Sequence, residues 1–299
     1  MSGINKQSGE FQKKNSPLHI MKKEWKIFLT SVMFLTRIRV PRNIDHSPEY
    51  LQKAPKYFPV IGWMVGSISV LVFLIFSKYI STDIGIMSSM IAGILTTGAL
   101  HEDGFSDVCD GFGGGWTKEK ILLIMKDSRI GVFGGIGLLA VLGSKFLLLK
   151  EMPAFTPELF HPGSAIVGTT IPVVSFFFNY RYFITGLIAA HSLSRLMPVL
   201  VIQWSEYAAD PDQSKSKPLA NSKLKCGEMV LAVLFALAPF AFLPVHFLWV
   251  ILPVLYTTYA MVKYFTRWIG GYTGDCLGAI QQVTEIVFYL GFVIVWRFM

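Results

Sequence analysis

The residues best suited to do chemistry are concentrated in residues 101–111. Four carboxylates, Glu102, Asp103, Asp107 and Asp110, fall within nine residues, directly after an apolar run. On a helix, the i, i+4, i+7 spacing of the three aspartates places them within about 60° of arc, on one face. Three carboxylates this close repel one another, and a divalent cation removes that repulsion. The spacing therefore predicts a site of hard oxygen ligands for Mg²⁺, Mn²⁺ or Ca²⁺.

Magnesium is the cation that best fits such a cluster at the end of an apolar run. Mg²⁺ usually keeps several waters and shares its other positions with substrate phosphates, so the cluster indicates phosphoryl chemistry. The simpler alternative is a solvated acidic helix end that binds nothing. Nearby glycines favour the site because they remove side chains where a bulky ligand approaches the backbone, although glycines alone would equally form a loop. These glycines are Gly104, Gly111 and residues 113–115.

Two other places carry charged candidates. Lys126 and Arg129 follow the cluster and could clamp a pyrophosphate, because Arg presents a rigid fork of donors and Lys a point charge. They would also serve as ordinary interfacial anchors of the next apolar run. Near the end of the chain, Asp275 and Glu285 could join the acidic cluster, since a carboxylate inside an apolar helix is a functional candidate. Glu285 could instead be paired within the helix bundle.

Composition sets the class of protein that must position these residues. The chain has 299 residues, of which 53% are hydrophobic and 15% charged, whereas soluble domains carry about a quarter charged residues. The apolar residues fall in runs of roughly 17–25, the length that crosses a bilayer as a helix. The net charge of +8 comes from cations that mostly flank these runs. This pattern favours a positive-inside membrane protein over a nucleic-acid-binding surface.

We therefore predict an all-α, polytopic membrane protein with about seven crossings and its N-terminus in the cytoplasm. Residues 1–23 are polar and lysine-rich and are predicted to form a disordered cytoplasmic tail. Residues 24–299 then form a single helical membrane domain, in which the catalytic segment 101–130 faces the cytoplasm. Interfacial amphipathic helices are predicted at residues 25–40 and 117–127.

The number of crossings depends on residues 164–203. This region has two apolar stretches that are split by Asn179, Tyr180 and Arg181. The cationic loops all lie in the cytoplasm if this region crosses the membrane once, with part of it re-entrant or interfacial. That arrangement gives seven crossings, and the alternative count is eight. The other predicted crossings are residues 58–80, 84–100, 131–149, 228–243, 247–265 and 277–298.

Several separate blocks of the sequence resemble the cobalamin synthase family. The resemblance extends from about Phe34 to Glu285, and two positions depart from the family pattern: Arg39 stands where proline is usual, and Glu102 where leucine is common. The blocks that carry it are residues 34–38, 58–62, 98–114, 124–131, 193–195 and 270–278.

The resemblance implies a late step of cobalamin biosynthesis. In that step, adenosylcobinamide-GDP is joined to α-ribazole or its 5′-phosphate, GMP leaves, and adenosylcobalamin or its 5′-phosphate results. It also implies a multi-pass protein of the cell inner membrane. The expected Mg²⁺ ligands are Asp103, Asp107 and Asp110. The expected catalytic residues are these three with Lys126, Asp127 and Arg129, and the expected substrate-binding residues are Arg37, Gly113, Gly114, Arg195, Asp275 and Glu285.

Two other functions fit the pattern less well. A CDP-alcohol phosphotransferase also uses carboxylates on membrane helices, but the Ala-Arg pair expected after Asp103 and Gly104 is missing. In a cation or metabolite transporter, Glu285 and the aspartates would line a transport path. Transporters often consist of two repeated halves, but the sequence has no second acidic segment that matches the first. The pair His191 and Arg195, spaced i, i+4, fits a structural role and a ligand role equally well. The expected partners are the two substrates and the lipid bilayer, without nucleic acid, and a homo-oligomer is left open.

Overall fold

The structure, a computed structural model, describes residues 17–41, 47–153, 172–208 and 223–298. The described residues form helices and contain no strand apart from an isolated bridge between Tyr207 and Tyr272. The prediction of an all-α protein is confirmed. The α-helices are α1 (Pro17–Leu35), α2 (Pro48–Lys53), α3 (Phe58–Tyr79), α4 (Thr82–Thr97), α5 (Leu100–Gly114), α6 (Lys118–Met125), α7 (Val132–Glu151), α8 (Pro172–Trp204), α9 (Cys226–Leu237), α10 (Ile251–Ile269) and α11 (Gly274–Arg297).

Five helical segments are long and apolar enough to cross a bilayer, and a sixth arises if α4 and α5 count as one bent span. The described residues thus support a multi-pass membrane protein but not the count of seven. The physical reason is length: α4 has 16 residues and then turns by 88° into α5, and the apolar helix Cys226–Phe242 is shorter than a span. The five segments are Pro48–Tyr79, Val132–Glu151, Tyr180–Trp204, Val245–Ile269 and Gly274–Arg297.

Three local expectations are corrected by the structure. The two stretches expected around residues 179–181 are joined in the continuous helix α8, because none of the three polar residues there breaks a helix. Helix α1 ends at Leu35, so Arg37 and Arg39 lie on the non-helical segment after it and not on an amphipathic helix. Helix α1 also begins at Pro17, inside the tail expected to be disordered; residues 1–16 lie outside the described part of the chain.

The helix expected at residues 117–127 is present as α6, which begins after its N-cap residue Thr117. The Thr117 side chain accepts a hydrogen bond from the Lys120 N–H, which satisfies one of the free amides of the first turn.

Helices α3, α8 and α11 form the centre of the bundle. Helix α3 packs chiefly against α8 and α4, and α11 packs against α5 and α8. Small residues allow this close approach: a Cβ at Gly62 on α3 would collide with the backbone of His191 on α8. Farther along the same pair of helices, the rings of Phe73 and Phe183 stack with centroids 4.0 Å apart. The acidic helix α5 is therefore held against α11, one of the three central helices.

Candidate active site

A sharp turn at Gly98 and Ala99 sets the direction of the acidic helix. Both residues have positive φ, 66° and 58°, and Ala99 is the only non-glycine residue of this kind in the described part of the chain. A left-handed alanine costs about 1–2 kcal/mol, so the surrounding contacts must hold it. Arg37 supplies such contacts: its N–H donates to the Thr96 carbonyl at 2.7 Å, and its side chain covers Gly98 so closely that a Cβ there would collide with it. The structure therefore places Arg37 beneath the start of α5.

Helices α5 and α11 cross at two glycines. A Cβ at Gly104 would lie 3.0 Å from the Cα and the carbonyl oxygen of Asp275, and a Cβ at Gly278 would lie 3.2 Å from the His101 carbonyl oxygen. At both positions a side chain would require the neighbouring backbone to shift by a few tenths of an ångström. The close approach brings Asp275, at the start of α11, beside the acidic face of α5.

Three carboxylates share this crossing. Asp103 and Asp275 line the same cavity. The Asp107 carboxylate interacts electrostatically with Asp275, Asp103 and Asp110. Asp103 is exposed, and Asp107 and Asp275 are half-buried. Asp275 thus joins the acidic group, as one reading of the sequence expected.

The Asp110 carboxylate contacts the start of α7. Its Oδ2 accepts the Gly131 N–H at 2.7 Å, and its Oδ1 accepts the Gly134 N–H at 2.8 Å. Both amides belong to the N-terminus of α7, where free N–H groups and the helix dipole favour a carboxylate. Asp110 is buried and caps α7 from a neighbouring helix. Its role as a metal ligand stays a prediction, with both oxygens already engaged.

Within residues 17–41, 47–153, 172–208 and 223–298, no three His, Cys, Asp or Glu side chains form a ready-made metal site. The Asp110 contacts account for part of this result, since the third carboxylate of the sequence motif turns toward α7.

The loop after α6 carries the predicted cationic residues. Arg129 donates from Nε and from its terminal nitrogen to the Asp127 carboxylate, at 3.0 and 2.6 Å. Hydrogen bonds from the Arg129 side chain and backbone lower the pKa of the exposed Asp127 to about 2. Lys126 is also exposed on this loop. Because Asp110 binds Gly131, the loop ends next to α5, but Arg129 is paired with Asp127 and would have to leave it to meet a phosphate.

The predicted glycines at the end of α5 pack on protein side chains. A Cβ at Gly113 would lie 2.5 Å from the Phe133 ring, and one at Gly114 would lie 3.4 Å from Ile124. Gly113 therefore has a packing reason to be small, and the substrate-binding role of both glycines stays a prediction.

Glu285 lies in a buried polar network and not with the aspartates. Lys145 Nζ is 2.5 Å from Glu285 Oε1, and the carboxylate also accepts hydrogen bonds from Gln281 at 2.7 Å and Tyr289 at 3.0 Å. His191 Nδ1 lies 3.6 Å from the same carboxylate. Glu285 is thus paired within the helix bundle, which was the second of the two alternatives left open by the sequence. Its substrate-binding role stays a prediction.

Arg195 connects the network to the acidic cavity. Its terminal nitrogen donates to the His191 carbonyl oxygen at 3.0 Å and lies 3.1 Å from His191 Nδ1. Arg195 lines the same cavity as Asp103 and Asp275. Its Nε is buried and has no hydrogen-bond partner in the described part of the protein. Arg195 is therefore a buried cation that is held by His191 and lines the acidic cavity.

Four members of the network were not predicted from the sequence: Lys145, Gln281, Gln282 and Tyr289. Lys145 is a buried cation in an apolar helix, a signal that was available in the sequence. Gln281 and Gln282 gave no such signal; Gln282 donates to Glu102 at 3.0 Å, which shows that Glu102 faces away from the other carboxylates of its helix.

The cavity between α1, α3, α5, α8 and α11 has a volume of about 140 Å³. Most of its walls are apolar, and its polar groups are Asp103, Asp275, His101 and Arg195. Leu100 and Asp103 are exposed, so the cavity opens to the outside of the bundle. The remaining lining residues are Phe34, Leu35, Phe58, Gly104, Pro198, Gly274, Leu277 and Gly278.

The fold and the site define a class: a helical membrane protein with an acidic pocket at the end of a bent pair of helices. The family profile described as cobalamin-5-phosphate synthase matches residues 27–293, and the chain belongs to that family. No solved structure matches the chain.

Curated relatives are similar over almost their whole length. A Leptospira interrogans protein named adenosylcobinamide-GDP ribazoletransferase is 38% identical over 285 residues, covering 93% of this chain and 98% of the relative. Proteins of the same name from Shewanella woodyi and Shewanella piezotolerans are 36% and 39% identical and cover 91% and 90% of this chain. The aligned regions include 97% and 95% of these two relatives, respectively. The resemblance inferred from the motifs is confirmed.

Proposed function

We propose that this protein is a transferase that joins adenosylcobinamide-GDP to α-ribazole or its 5′-phosphate and releases GMP. The relatives' shared name and their coverage of the chain support the reaction. The main support for the location of the site is the crossing of α5 and α11. At this crossing Asp103, Asp275 and Arg195 line the same cavity.

The reaction exchanges one phosphorus–oxygen bond for another. A ribose hydroxyl of the acceptor forms a bond to the phosphorus that carries cobinamide, and the bond from that phosphorus to GMP breaks. Such chemistry depends on positioning and on compensation of phosphate charge. We assign acceptance of the hydroxyl proton to Asp107, which is half-buried near Asp103, Asp110 and Asp275. Lys126 and Arg129, on the loop that ends beside α5, are assigned to the departing GMP.

Mg²⁺ is the cofactor we propose; because the described residues hold no complete set of three protein ligands, substrate phosphates would supply the remaining positions. Asp103, Asp107 and Asp275 offer the hard oxygen donors that Mg²⁺ prefers, and their mutual repulsion favours a cation. Asp110 contributes chiefly by fixing α7, since its oxygens hold Gly131 and Gly134. When bound, the ion would neutralise charge on the pyrophosphate.

We also propose that the protein resides in the cell inner membrane with the acidic pocket on the cytoplasmic side. The cationic residues Lys118, Lys120 and Lys126, which follow the acidic helix in the sequence, support this orientation.

The direct test is a reconstituted assay in lipid vesicles. Purified protein, adenosylcobinamide-GDP, α-ribazole and Mg²⁺ should release GMP and form the joined product in equal amounts. Release of CMP from a CDP-alcohol would indicate the phosphotransferase alternative, and uptake of a solute without product would indicate a transporter. Either result, with no GMP released, would refute the proposed function.

A further inference from the structure

We propose that an exposed stripe of helix α10 binds one anionic phospholipid. The stripe consists of Tyr256, Tyr259, Lys263 and Arg267, and on a helix this spacing places the four side chains within about 80° of arc. Tyr256 is 72% exposed and Tyr259 64%, and both cations are exposed as well. Binding of a lipid at this stripe is independent of the reaction proposed above.

The length of the stripe matches one leaflet of a bilayer. Helix α10 belongs to the segment Val245–Ile269, which is long and apolar enough to cross a membrane, and only 22% of its most apolar window is buried within the protein. From Tyr256 to Arg267 the helix rises about 16 Å, and half of a hydrocarbon core is about 15 Å thick. A single phospholipid therefore extends along the whole stripe, with its head group at the cations and its acyl chains at the tyrosines.

A third cation, Lys118 on α6, lies at the end of the stripe. Its Nζ is 3.4 Å from the position that a Cβ on Gly270 would occupy, and Gly270 caps the end of α10 just after Arg267. The ion pairs among the described residues engage other cations, so Lys118, Lys263 and Arg267 have no carboxylate partner in that part of the chain. Three uncompensated cations favour an anionic head group over a zwitterionic one, by about fivefold in affinity for each cation.

The tyrosines favour a lipid over a second copy of the chain. Tyrosine places an apolar ring against acyl chains, and its hydroxyl can donate to an ester carbonyl of the lipid. A second copy would instead have to supply carboxylates to the three cations. The exposed Glu49 and Glu151, near the ends of described spans, already form ion pairs with cations of their own chain.

The first experiment measures lipid binding by the purified full-length protein in a neutral detergent. The probe is fluorescent phosphatidylglycerol, and the competitors are unlabelled phosphatidylglycerol, phosphatidylcholine with the same chains, and glycerol 3-phosphate, which has no chains. We expect phosphatidylcholine to displace the probe at least about tenfold more weakly than phosphatidylglycerol does. Equal displacement by phosphatidylcholine would overturn the proposal. Displacement by glycerol 3-phosphate as strong as by phosphatidylglycerol would also contradict it, because the chains would then contribute nothing.

The second experiment removes two of the three cations. We expect the double variant Lys263→Gln with Arg267→Gln to bind the probe about tenfold to thirtyfold more weakly. The matched control, Lys22→Gln with Lys26→Gln, removes two charges at the same spacing from α1 and should change binding by less than about twofold. The pair Lys263→Arg with Arg267→Lys keeps both charges and should bind like the wild type. An equal loss in the two glutamine variants would refute the site, since binding would then follow net charge alone.

The oligomeric state of the same variants tests the rival occupant. If Lys263→Gln with Arg267→Gln dissociates an oligomer in detergent and leaves binding of phosphatidylglycerol unchanged, a second copy occupies the stripe and the lipid site is refuted. Selective binding of phosphatidylglycerol that is lost in this variant would establish the lipid site, even if the protein releases no GMP. Normal GMP release without selective binding would leave the proposed function standing and the lipid site refuted.

Discussion

Lys145 and Glu285 form an ion pair in the interior of the bundle, with Nζ 2.5 Å from Oε1. Their side chains are 8% and 2% exposed, so neither charge has access to bulk water. Hydrogen bonds from Gln281 and Tyr289 satisfy the remaining capacity of the carboxylate. A buried charge without its partner is strongly unfavourable, whereas a matched apolar pair is often tolerated.

Single replacements in this pair should therefore be worse than the double replacement. We expect Glu285→Leu or Lys145→Met alone to lower the free energy of unfolding by about 3–5 kcal/mol, and the double variant to recover much of that loss. Thermal unfolding in detergent and a double-mutant cycle would measure this. Additive losses in the double variant would show that the two side chains do not compensate each other.

The helix crossing at Gly104 provides a second prediction. Gly104→Ala places a Cβ 3.0 Å from the backbone of Asp275, which cannot move aside as a flexible side chain would. We expect a loss of about 1–3 kcal/mol in stability and a large loss of GMP release, because Asp103 and Asp275 are forced apart.

The matched control for Gly104→Ala is Gly135→Ala on α7, where no atom lies within 4 Å of the added Cβ. Replacing an unhindered helical glycine by alanine should leave activity intact and raise stability by about 0.5–1 kcal/mol. If both variants behave alike, the crossing at Gly104 does not position the site.

The sequence was sufficient to predict the acidic helix and its nearest members. The spacing of Asp103 and Asp107 predicts one helical face, and both interact with Asp275, which the sequence singled out as a candidate. Helical character and the membrane class also follow from apolar run length alone. These features depend on local pattern, which a single sequence contains.

The features that local pattern could not predict arise from contacts between distant segments. Spacing groups Asp110 with Asp103 and Asp107, but the free amides at Gly131 and Gly134 take both of its oxygens. Likewise, the sequence leaves open whether Glu285 joins the acidic cluster or is paired within the bundle, and the contact with Lys145 depends on a distant helix. The bend at Ala99 was also missed, because an alanine gives no sign of positive φ.

Asp110 should behave as a structural cap. Asp110→Ala removes two hydrogen bonds to a carboxylate and the charge at the start of α7, and we expect a loss of about 2–4 kcal/mol in the free energy of unfolding. Asp110→Asn keeps one acceptor oxygen and should lose less. Unfolding in detergent, read beside GMP release, would check this order; unchanged stability in Asp110→Ala would show that the cap contributes nothing.

The Mg²⁺ concentration needed for half-maximal GMP release should change when Asp103 or Asp275 is replaced, but not when Asp110 is replaced. If Asp103 and Asp275 hold Mg²⁺, removing either carboxylate weakens the ion's affinity, so Asp103→Asn and Asp275→Asn should need at least about tenfold more Mg²⁺ for half-maximal GMP release. Asp103 is exposed, and its replacement should leave the unfolding temperature unchanged. Asp110→Asn should lower the rate without moving the Mg²⁺ midpoint, because its oxygens hold α7. A Mg²⁺ titration of GMP release in chelator-treated vesicles measures all three. Equal midpoints in wild type, Asp103→Asn and Asp275→Asn would exclude these two carboxylates as ligands.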